Sequence, residues 1–449
     1  MQNREFVIIG AGLTGLSTAH NLKKSGHDVV IVEKDGRVGG QIQTYQEDGF
    51  VYESGPNTGV VSFPEVVELF DDLAGDCELE IARESSKRRL IWKGSRFHAL
   101  PSDPLSAIAT PLFRFSDKLR ILGEPWRKRG SDPDESVGAL AQRRLGKSFY
   151  EYAVDPFVSG VYAGDPMKLT TRYALPKLYN LEANYGSFIR GALAKAKEPK
   201  TDRDRLATKK VFSAVGGLSR MVDAMAKGLD IILNARDVKI RPADGEGWCI
   251  TFNGMEEIRC QRVVTTVGAY ALPSLLPFIP AERLKPFTQL FYAPIIQVCV
   301  GIRDTKGLGF PAFGGLVPSK EQKRVLGILF PSSCFEHRAP EGGALYSYFI
   351  GGARHMDYML KSDDEIRQIV LDEFHAMLKY PVGVEPDLIR VFRHERAIPQ
   401  YWSDSGERFR LIEELQGQYQ GLVLAGNMRD GIGMGNRIHQ GAVIASTWQ

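Results

Sequence analysis

The stretch Phe6-Val7-Ile8-Ile9-Gly10-Ala11-Gly12-Leu13-Thr14-Gly15 decides the fold of this chain. Its apolar start is typical of a buried parallel strand, and its glycines have the spacing of a strand-to-helix turn that binds a dinucleotide. In such a turn Gly10 permits the tight bend, Gly12 lets the backbone approach a pyrophosphate, and Gly15 lets the helix pack closely. A phosphate is favoured at the helix N-terminus. We therefore predict cofactor contacts from Gly10, Ala11, Gly12, Leu13, Thr14 and Gly15.

A second apolar strand ends in an acidic residue. Val29-Val30-Ile31-Val32 is followed by Glu33, which stands eighteen residues after Gly15. A carboxylate at this position accepts hydrogen bonds from a ribose hydroxyl in Rossmann-like units. Strand, glycine spacing and acid together predict a dinucleotide site, and at this point NAD and FAD both remain open.

Composition limits the class of protein. The chain has 449 residues, of which 43% are hydrophobic and 25% charged, so we expect two or more globular domains. The net charge is only +3 and no recognition motif accompanies the basic residues, which predicts no nucleic-acid partner. The five cysteines lack paired spacing, which disfavours both a disulfide framework and a metal site. A reducing compartment is expected.

The N-terminal sequence predicts a cytoplasmic protein. The first strand begins so close to Met1 that no room is left for a signal peptide. No apolar run reaches the length of a spanning helix, so any membrane contact is expected to be peripheral.

The same kind of strand and glycine turn returns near the C-terminus. Gly421-Leu422-Val423-Leu424-Ala425-Gly426-Asn427 is expected to be a buried strand and turn, followed by a helix over about 436–448. We therefore predict an α/β protein (α+β overall), with a Rossmann-like cofactor domain built from both chain ends. Its segments are 1–85, 206–268 and 400–449; a helical insert occupies 86–205, and a β-rich substrate domain occupies 269–399.

Two local patterns give more detailed expectations. An amphipathic helix is expected to begin at Phe212, and residues 231–240 alternate like one strand. A further helix is expected at about 363–379.

Two further glycine clusters indicate which dinucleotide is the cofactor. Arg37-Val38-Gly39-Gly40 resembles the pattern of the glutathione-reductase-like flavoproteins, in which the glycine pair brings backbone beside the flavin end. Asp430-Gly431-Ile432-Gly433 resembles the final motif of that group, where a helix N-terminus faces the isoalloxazine. The cofactor is therefore predicted to be FAD, bound non-covalently because the last cysteine, Cys334, is far from this motif.

Within that group the chain resembles the oxygen-dependent protoporphyrinogen oxidases over nearly its whole length. The matching stretches are 53–57, 98–101, 134–146, 160–166, 185–187, 314–319, 351–352, 397–401 and the C-terminal run. General flavin amine oxidases do not share the stretches 134–166 and 397–401. These stretches therefore favour tetrapyrrole chemistry, in heme or other tetrapyrrole biosynthesis.

The resemblance assigns roles to individual residues. Cofactor contacts besides the first turn would be Glu33, Arg37, Gly39, Gly40, Gln41, Gly55, Pro56, Asn57, Thr58, Val238 (by its backbone to adenine), Gly426, Asn427, Ile432, Gly433 and Met434. Arg89 would pair with a substrate propionate, and Phe313, Leu316 and Phe349 would sandwich the macrocycle. From the residues alone, Arg88 could be the inward arginine instead, and the three apolar residues could equally be core.

The implied mechanism needs no catalytic side chain. Hydride leaves a meso carbon for the flavin in three successive two-electron oxidations, and O₂ reoxidises the flavin to give H₂O₂. The chain shows no Ser/His/Asp or Cys/His arrangement, in keeping with chemistry carried by the flavin.

The helical insert has two interpretations. It combines apolar runs such as 105–113 with the basic residues Arg114, Lys118, Arg120, Arg127, Lys128 and Arg129. This combination suits a peripheral membrane surface, on the inner face of the cytoplasmic membrane, and the resemblance places the membrane-binding domain here. It suits a helical cap over the substrate channel equally well.

Other functions remain open at this level. The same scaffold serves amine and carotenoid-type flavoenzymes. A non-catalytic flavin or tetrapyrrole carrier is suggested by two departures from the family pattern. Glu407 stands where a histidine is expected, and Gly435-Asn436-Arg437 takes the place of a more usual Asp-Cys pair. The sequence does not choose between protoporphyrinogen and coproporphyrinogen, and it leaves a homodimer and the electron acceptor open.

Overall fold

Two seven-stranded sheets, with a two-stranded and a three-stranded sheet beside them, organise the residues that the computed structural model describes, 2–254 and 256–448. The strands of the first sheet run in the spatial order Asp230–Ile232, Val29–Val32, Gln2–Ile9, Glu256–Thr265, Trp248–Phe252 and Lys239–Pro242, with Leu422–Leu424 paired to Glu256–Thr265. The small sheets consist of Thr44–Glu47 with Phe50–Glu53, and of Gly59–Val60, Val211–Ala214 and Leu79–Ile81.

The first sheet contains strands from both chain ends. Gln2–Ile9 pairs in parallel with Val29–Val32 and with Glu256–Thr265, and the latter pairs in parallel with Leu422–Leu424. Phe6 faces the helices Leu13–Lys24 and Met434–Ser446, which lie against each other where Ser17 Oγ donates to Ile438 O at 2.8 Å. Strand residues of opposite parity, such as Val7, face a second core. The mixed α/β character predicted from the sequence is confirmed.

The second sheet is mostly antiparallel. Its strands run in the order Leu388–Pro399, Tyr292–Ile302, Ala344–Gly351, Gly327–Leu329, Gly314–Leu316, Arg89–Lys93 and Arg96–Ala99. Tyr292–Ile302 is buried at every position because it lies between two strands, with helix Asp363–Leu378 packed on one face of the sheet. On the other face Cys299 packs against Phe50 of the two-stranded sheet.

Short helices fill residues 104–205. They are Pro104–Ala109, Phe115–Leu122, Val137–Leu145, Lys147–Phe149, a π-helix over Tyr150–Val154, Asp155–Val161, Thr171–Ala174, Pro176–Tyr185, Phe188–Ala196 and Asp202–Arg205. Elsewhere the α-helices include Pro64–Asp72, Leu218–Ala226, Leu272–Leu275, Lys285–Thr288, Pro331–Cys334 and Ser405–Gln418. In the described part of the chain, no helix is both long enough and apolar enough to cross a membrane.

Buried ion pairs hold the helical insert together. Arg144 is fully buried and contacts Glu124 Oε1 and Glu182 Oε1, both at 2.6 Å. Glu124 also accepts hydrogen bonds from Ser187 Oγ and from the backbone N–H of Phe188. These contacts join segments that are twenty to sixty-four residues apart.

Three local expectations were wrong in part. The helix predicted to begin at Phe212 begins at Leu218, and Val211–Ala214 is a strand. Gly216 and Gly217 separate the two elements, because their positive φ of 80° and 104° cannot be part of a helix. The segment 231–240 is two strands at opposite edges of the first sheet, since Asn234 and Asp237 also have positive φ.

The insert does not begin as helix at residue 86. Arg89–Lys93 and Arg96–Ala99 are strands of the second sheet, where Leu90 and Trp92 find a buried face, and helices start at Pro104. Leu276 and Phe287 pack in the core of the first sheet although they fall in the predicted substrate domain. The domain boundaries themselves stay a prediction.

Candidate cofactor and substrate site

The first glycine turn forms a cradle at the edge of the first sheet. Gly10 has a φ of +103° and donates its N–H to Val32 O at 2.9 Å. A Cβ atom on Gly15 would lie 2.0 Å from Gly10 O, so only glycine fits there. A Cβ on Gly12 would have no atom within 4 Å, and helix Leu13–Lys24 begins beside it without a side-chain cap. Free N–H groups therefore face open space of the kind that a pyrophosphate fills.

Glu33 closes one side of this cradle. Its side chain is buried, and its carboxylate accepts from the backbone N–H of Ala11 at 2.6 Å and of Asp35 at 2.8 Å. A carboxylate has about four acceptor sites, so capacity for a ribose hydroxyl is left. Val238, the residue predicted to contact adenine, is half-buried and directly precedes the strand Lys239–Pro242 of the same sheet.

The second glycine cluster lies directly on the first. The Arg37 guanidinium donates to the carbonyl oxygens of Val38, Gly40 and Ile42 at 3.0, 2.6 and 3.0 Å, which fixes the loop. Gly40 would place a Cβ 3.3 Å from Gly12 Cα. Arg37 thus has a structural role here, and it brings the glycine pair beside the phosphate cradle.

The segment 55–58 connects this loop to the second sheet. A Cβ on Gly55 would lie 2.0 Å from Gln41 O, and Asn57 Oδ1 accepts from Ser347 Oγ at 2.8 Å. Gln41 in turn donates to Arg396 O at 3.3 Å. The half-buried Pro56 and Thr58 flank Asn57, so this segment lies at the junction of the two sheets.

The C-terminal motif supplies a second open helix N-terminus. Gly426, with a φ of +95°, donates its N–H to Gln440 Oε1 at 2.9 Å. Asn427 O accepts from Tyr401 Oη at 2.7 Å. Helix Met434–Ser446 starts after Gly433, which offers no side-chain cap.

A cavity of about 1170 Å³ lies between the C-terminal motif and the second sheet. Its lining includes the predicted cofactor contacts Asn57, Thr58, Ile432, Gly433 and Met434 together with the predicted substrate residues Arg89, Phe313, Leu316 and Phe349. Residues from 57 to 434 in the sequence therefore meet in one space. That arrangement is the geometry of a cofactor facing a bound substrate.

Comparisons with known proteins agree with this geometry. The family model of flavin containing amine oxidoreductase matches residues 13–442. Protoporphyrinogen oxidase 2, chloroplastic/mitochondrial, of Arabidopsis thaliana is 30% identical and covers 99% of this chain and 94% of its own length. The chain belongs to the protoporphyrinogen oxidase family, within the flavin-containing amine oxidoreductases. The predicted family, FAD as the cofactor, and the class of FAD-dependent oxidase are confirmed.

Other similar proteins include both porphyrinogen branches. Coproporphyrinogen III oxidase of Bacillus subtilis is 26% identical, covering 99% of this chain and 97% of its own length. A crystal structure from Exiguobacterium sp. 255-15, provisionally named protoporphyrinogen oxidase, superimposes with a TM-score of 0.81 at 22% identity, covering 99% of this chain and 98% of the other. At that identity the structural likeness shows the fold alone.

The cradle fits the FAD of this family. Gly12 and Gly40 leave room where side chains would intrude, and two uncapped helix N-termini, at Leu13 and Met434, are available to the pyrophosphate and the flavin end. The individual cofactor contacts stay predictions.

The structure separates the two candidate arginines. Arg89 lines the cavity, and its Cζ atom lies 5.2 Å from the centroid of the Phe313 ring. Arg88 does not line it, and its carbonyl oxygen accepts from the N–H of Phe313 at 2.9 Å. Phe313, Leu316 and Phe349 face the cavity, so the alternative that they are wholly core is disfavoured.

Of the residues that depart from the family pattern, Glu407 and Arg437 lie outside the cavity, whereas Gly435 and Asn436 line it. Glu407 lines a separate surface depression with Glu282 and Arg410. Arg437 is only 7% exposed and donates to Gln440 Oε1 and Arg429 O at 2.8 and 2.9 Å. Burial lowers the pKa of its guanidinium. Neither residue obstructs the predicted substrate space.

Several lining residues were not nominated from the sequence. The insert contributes Val137, Leu140, Ala141, Leu145, Gly160, Val161, Tyr162, Arg172 and Lys177, and the segment before helix Pro64–Asp72 contributes Phe63. The stretches 134–146 and 160–166, which point to tetrapyrrole chemistry, contain seven of them. No local pattern marks Phe63 or Lys177, because their role depends on packing between distant segments.

Proposed function

We propose that the protein oxidises a porphyrinogen to the porphyrin, in heme or tetrapyrrole biosynthesis. The observation that carries the proposal is one cavity lined by the predicted cofactor contacts Asn57 and Met434 and by the predicted substrate residues Arg89 and Phe349. Bound FAD would supply the acceptor for a hydride from a meso carbon of the substrate. We also infer that the cofactor unit is of the glutathione-reductase type.

The side chains of the cavity bind and orient the macrocycle. Arg89 is placed to bind a carboxylate of the substrate, and Phe313, Leu316 and Phe349 offer apolar surface to its ring system. Of the described lining residues Asp430 alone is acidic, and it is bound by Arg429 and Gln440. The described lining therefore offers no carboxylate that is free of such partners, in keeping with hydride loss as the main event.

A turnover experiment tests this function. FAD-loaded protein is mixed in air with protoporphyrinogen or coproporphyrinogen, and porphyrin fluorescence, O₂ uptake and H₂O₂ are measured together. We expect porphyrin with matched H₂O₂, because O₂ is the proposed acceptor. Arg89→Ala should raise KM about tenfold or more, since a charge-assisted hydrogen bond is lost, while Arg88→Ala should not. Porphyrin binding without any H₂O₂ from either porphyrinogen would favour the carrier instead.

We further propose that the helical insert rests on an anionic membrane surface, at the cytoplasmic face. Six apolar side chains near the start of the insert are exposed: Leu105, Ile108, Phe115, Leu119, Leu122 and Trp126. Leu105 and Trp126 are 79% and 77% exposed, and the exposed basic residues Arg114, Lys128 and Arg129 lie nearby in the sequence. Apolar anchors beside basic side chains suit monotopic binding. Since the insert also lines the cavity, the cap and the membrane surface are compatible interpretations.

Vesicle binding tests the membrane proposal. Protein is sedimented with vesicles that contain phosphatidylglycerol, and the bound fraction is measured. The triple variant Phe115→Ser, Leu122→Ser, Trp126→Ser is measured in the same way, once its melting temperature has been found equal to that of the wild type. We expect the variant to bind at least tenfold more weakly and added salt to weaken the wild type. Equal binding, or a wild-type dimer in light scattering that the variant abolishes, would contradict it.

A further inference from the structure

Two cations border the cavity without an acidic partner. Arg89 and Lys177 both line it, and within residues 2–254 and 256–448 neither side chain forms an ion pair. The nearest polar contact of the Arg89 guanidinium is a long one, 3.5 Å from Nη1 to Lys87 O. By contrast, the third cation of the lining, Arg172, is bound to Asp134 Oδ1 at 2.6 Å.

Each of the two cations lies over an aromatic ring that also lines the cavity. The Arg89 Cζ atom and the Lys177 Nζ atom are each 5.2 Å from a ring centroid, those of Phe313 and Phe63 respectively. The Phe63 ring is itself fixed by stacking on His439, with the centroids 4.2 Å apart. Cation–π contact holds both side chains at the wall and leaves their N–H groups free to donate.

The two cations belong to different walls. Arg89 begins a strand of the second sheet, paired with Gly314. Lys177 is in helix Pro176–Tyr185 of the insert and contacts Phe63, which directly precedes helix Pro64–Asp72. A ligand that touches both cations therefore spans the cavity between the second sheet and the insert.

The part of the chain that the structure describes provides no anion for these groups. Asp430, the acidic residue of the described lining, is already bound by Arg429 Nε at 3.0 Å and Gln440 Nε2 at 2.7 Å. Both cations are exposed, and a ligand that fills the cavity lies beside them. Negative charge on the ligand opposite each cation would form a charge-assisted hydrogen bond.

We infer that Lys177 binds a second carboxylate of the substrate and acts with Arg89 as a two-point anchor. The inference rests on the proposed function. A macrocycle held at one carboxylate can turn about that contact, whereas two contacts fix which meso carbon faces the flavin end. Lys177 is thus a positioning residue, and the preferred substrate carries at least two carboxylates that can reach both walls.

Porphyrin binding without turnover tests the role of Lys177. Quenching of protein fluorescence measures the affinity of the holoenzyme for protoporphyrin IX and for its dimethyl ester, which lacks both negative charges. Lys177→Gln should bind the free acid about tenfold more weakly and the ester as the wild type does. Lys177→Arg should restore the affinity to within about threefold, and Lys197→Gln, an exposed lysine outside the cavity, should have no effect.

The outcomes separate the inference from the proposed function. If the wild type binds neither acid nor ester, the porphyrinogen function fails. If the wild type prefers the acid and Lys177→Gln keeps that preference, the two-point anchor is wrong. Retained ester binding by the variant shows that it is folded. In turnover, Lys177→Gln should raise KM more than it lowers kcat for both porphyrinogens.

Discussion

The cofactor cradle and the helical insert are specified in opposite ways. The cradle, Gly10–Gly15 with the loop 37–40, is shaped by backbone and by the absence of side chains: Gly15 lies against Gly10 O, and Gly40 against Gly12. The insert, residues 104–205, depends on long charged side chains, since Arg144 bridges Glu124 and Glu182 in the interior. Local constraints made the first visible in ten residues of sequence. The helical character of the second was also predicted from the sequence, but its ion pairs join residues far apart in the chain and could not be predicted.

Removing the buried arginine should have the largest effect on stability. Arg144→Leu leaves the buried Glu124 without its cation and removes one of the two arginines that bind Glu182, which costs about 3–5 kcal/mol of the free energy of unfolding. Thermal and urea unfolding measure this loss. Because Arg144 has no contact with the cradle, whatever protein remains folded should retain FAD.

Arg143→Leu is the matched control for that change. Its side chain is 30% exposed. Glu182 would keep Arg144 as a partner, and Glu135, 18% exposed, would lose its cation but keep access to water, so we expect a loss of about 1–2 kcal/mol. Equal losses in the two variants would show that burial of the ion pair is not what stabilises the insert.

Filling the cradle should have a smaller effect on stability and a complete effect on the cofactor. A Cβ on Gly15 would lie 2.0 Å from Gly10 O, so Gly15→Ala must displace the helix or the turn, at about 1–3 kcal/mol. We expect purified Gly15→Ala to lack flavin absorbance.

Gly12→Ala separates packing from cofactor binding in the same turn. Its Cβ would have no protein atom within 4 Å and the backbone of Gly12 is extended, so the free energy of unfolding should change by less than about 1 kcal/mol. FAD affinity should still fall, because the methyl group enters the space predicted for the pyrophosphate. Full FAD occupancy in both glycine variants would contradict the assignment of the cradle.

Acid should destabilise the helical insert. Burial by itself raises the pKa of Glu124, but hydrogen bonds from Ser187, Phe188 and Ile189 outweigh it, and the pKa lies below its ordinary value. The pKa of Glu182 is also below its ordinary value, because hydrogen bonds from Arg143 and Arg144 outweigh the effect of burial. A lowered folded pKa stabilises the protein above the unfolded value, about 4.3, and this stabilisation is lost as the pH falls through the folded pKa.

Melting temperatures between pH 7 and pH 2 measure this loss. The wild type should lose stability progressively below about pH 4.3, and Glu124→Gln should show a shallower dependence from a lower starting stability. An exposed carboxylate such as Asp202 offers the control, since Asp202→Asn should leave the slope unchanged. If the melting temperature of Glu124→Gln depends on pH as steeply as that of the wild type, Glu124 does not contribute to the loss of stability in acid.

The same contrast explains what the sequence could predict. Gly10, Gly12, Gly15 and Glu33 act through near neighbours or through a strand-to-helix pattern, so their placement followed from spacing. The hydrophobic period of the segment that begins at Phe212 predicts a helix. Phe212 is in a strand instead, because it pairs with Gly59 and because Gly216 and Gly217 have positive φ. Arg89 could not be chosen over Arg88 until the strand register was known. Lys177 carries no local signal, since Phe63 meets it from more than a hundred residues away.

Anaerobic mixing of the FAD-loaded protein with porphyrinogen tests the central claim most directly. The account predicts that protoporphyrinogen or coproporphyrinogen bleaches the visible flavin absorbance, and that air restores it with release of porphyrin. Flavin that stays oxidised with both porphyrinogens, while dithionite still bleaches it, would contradict the claim.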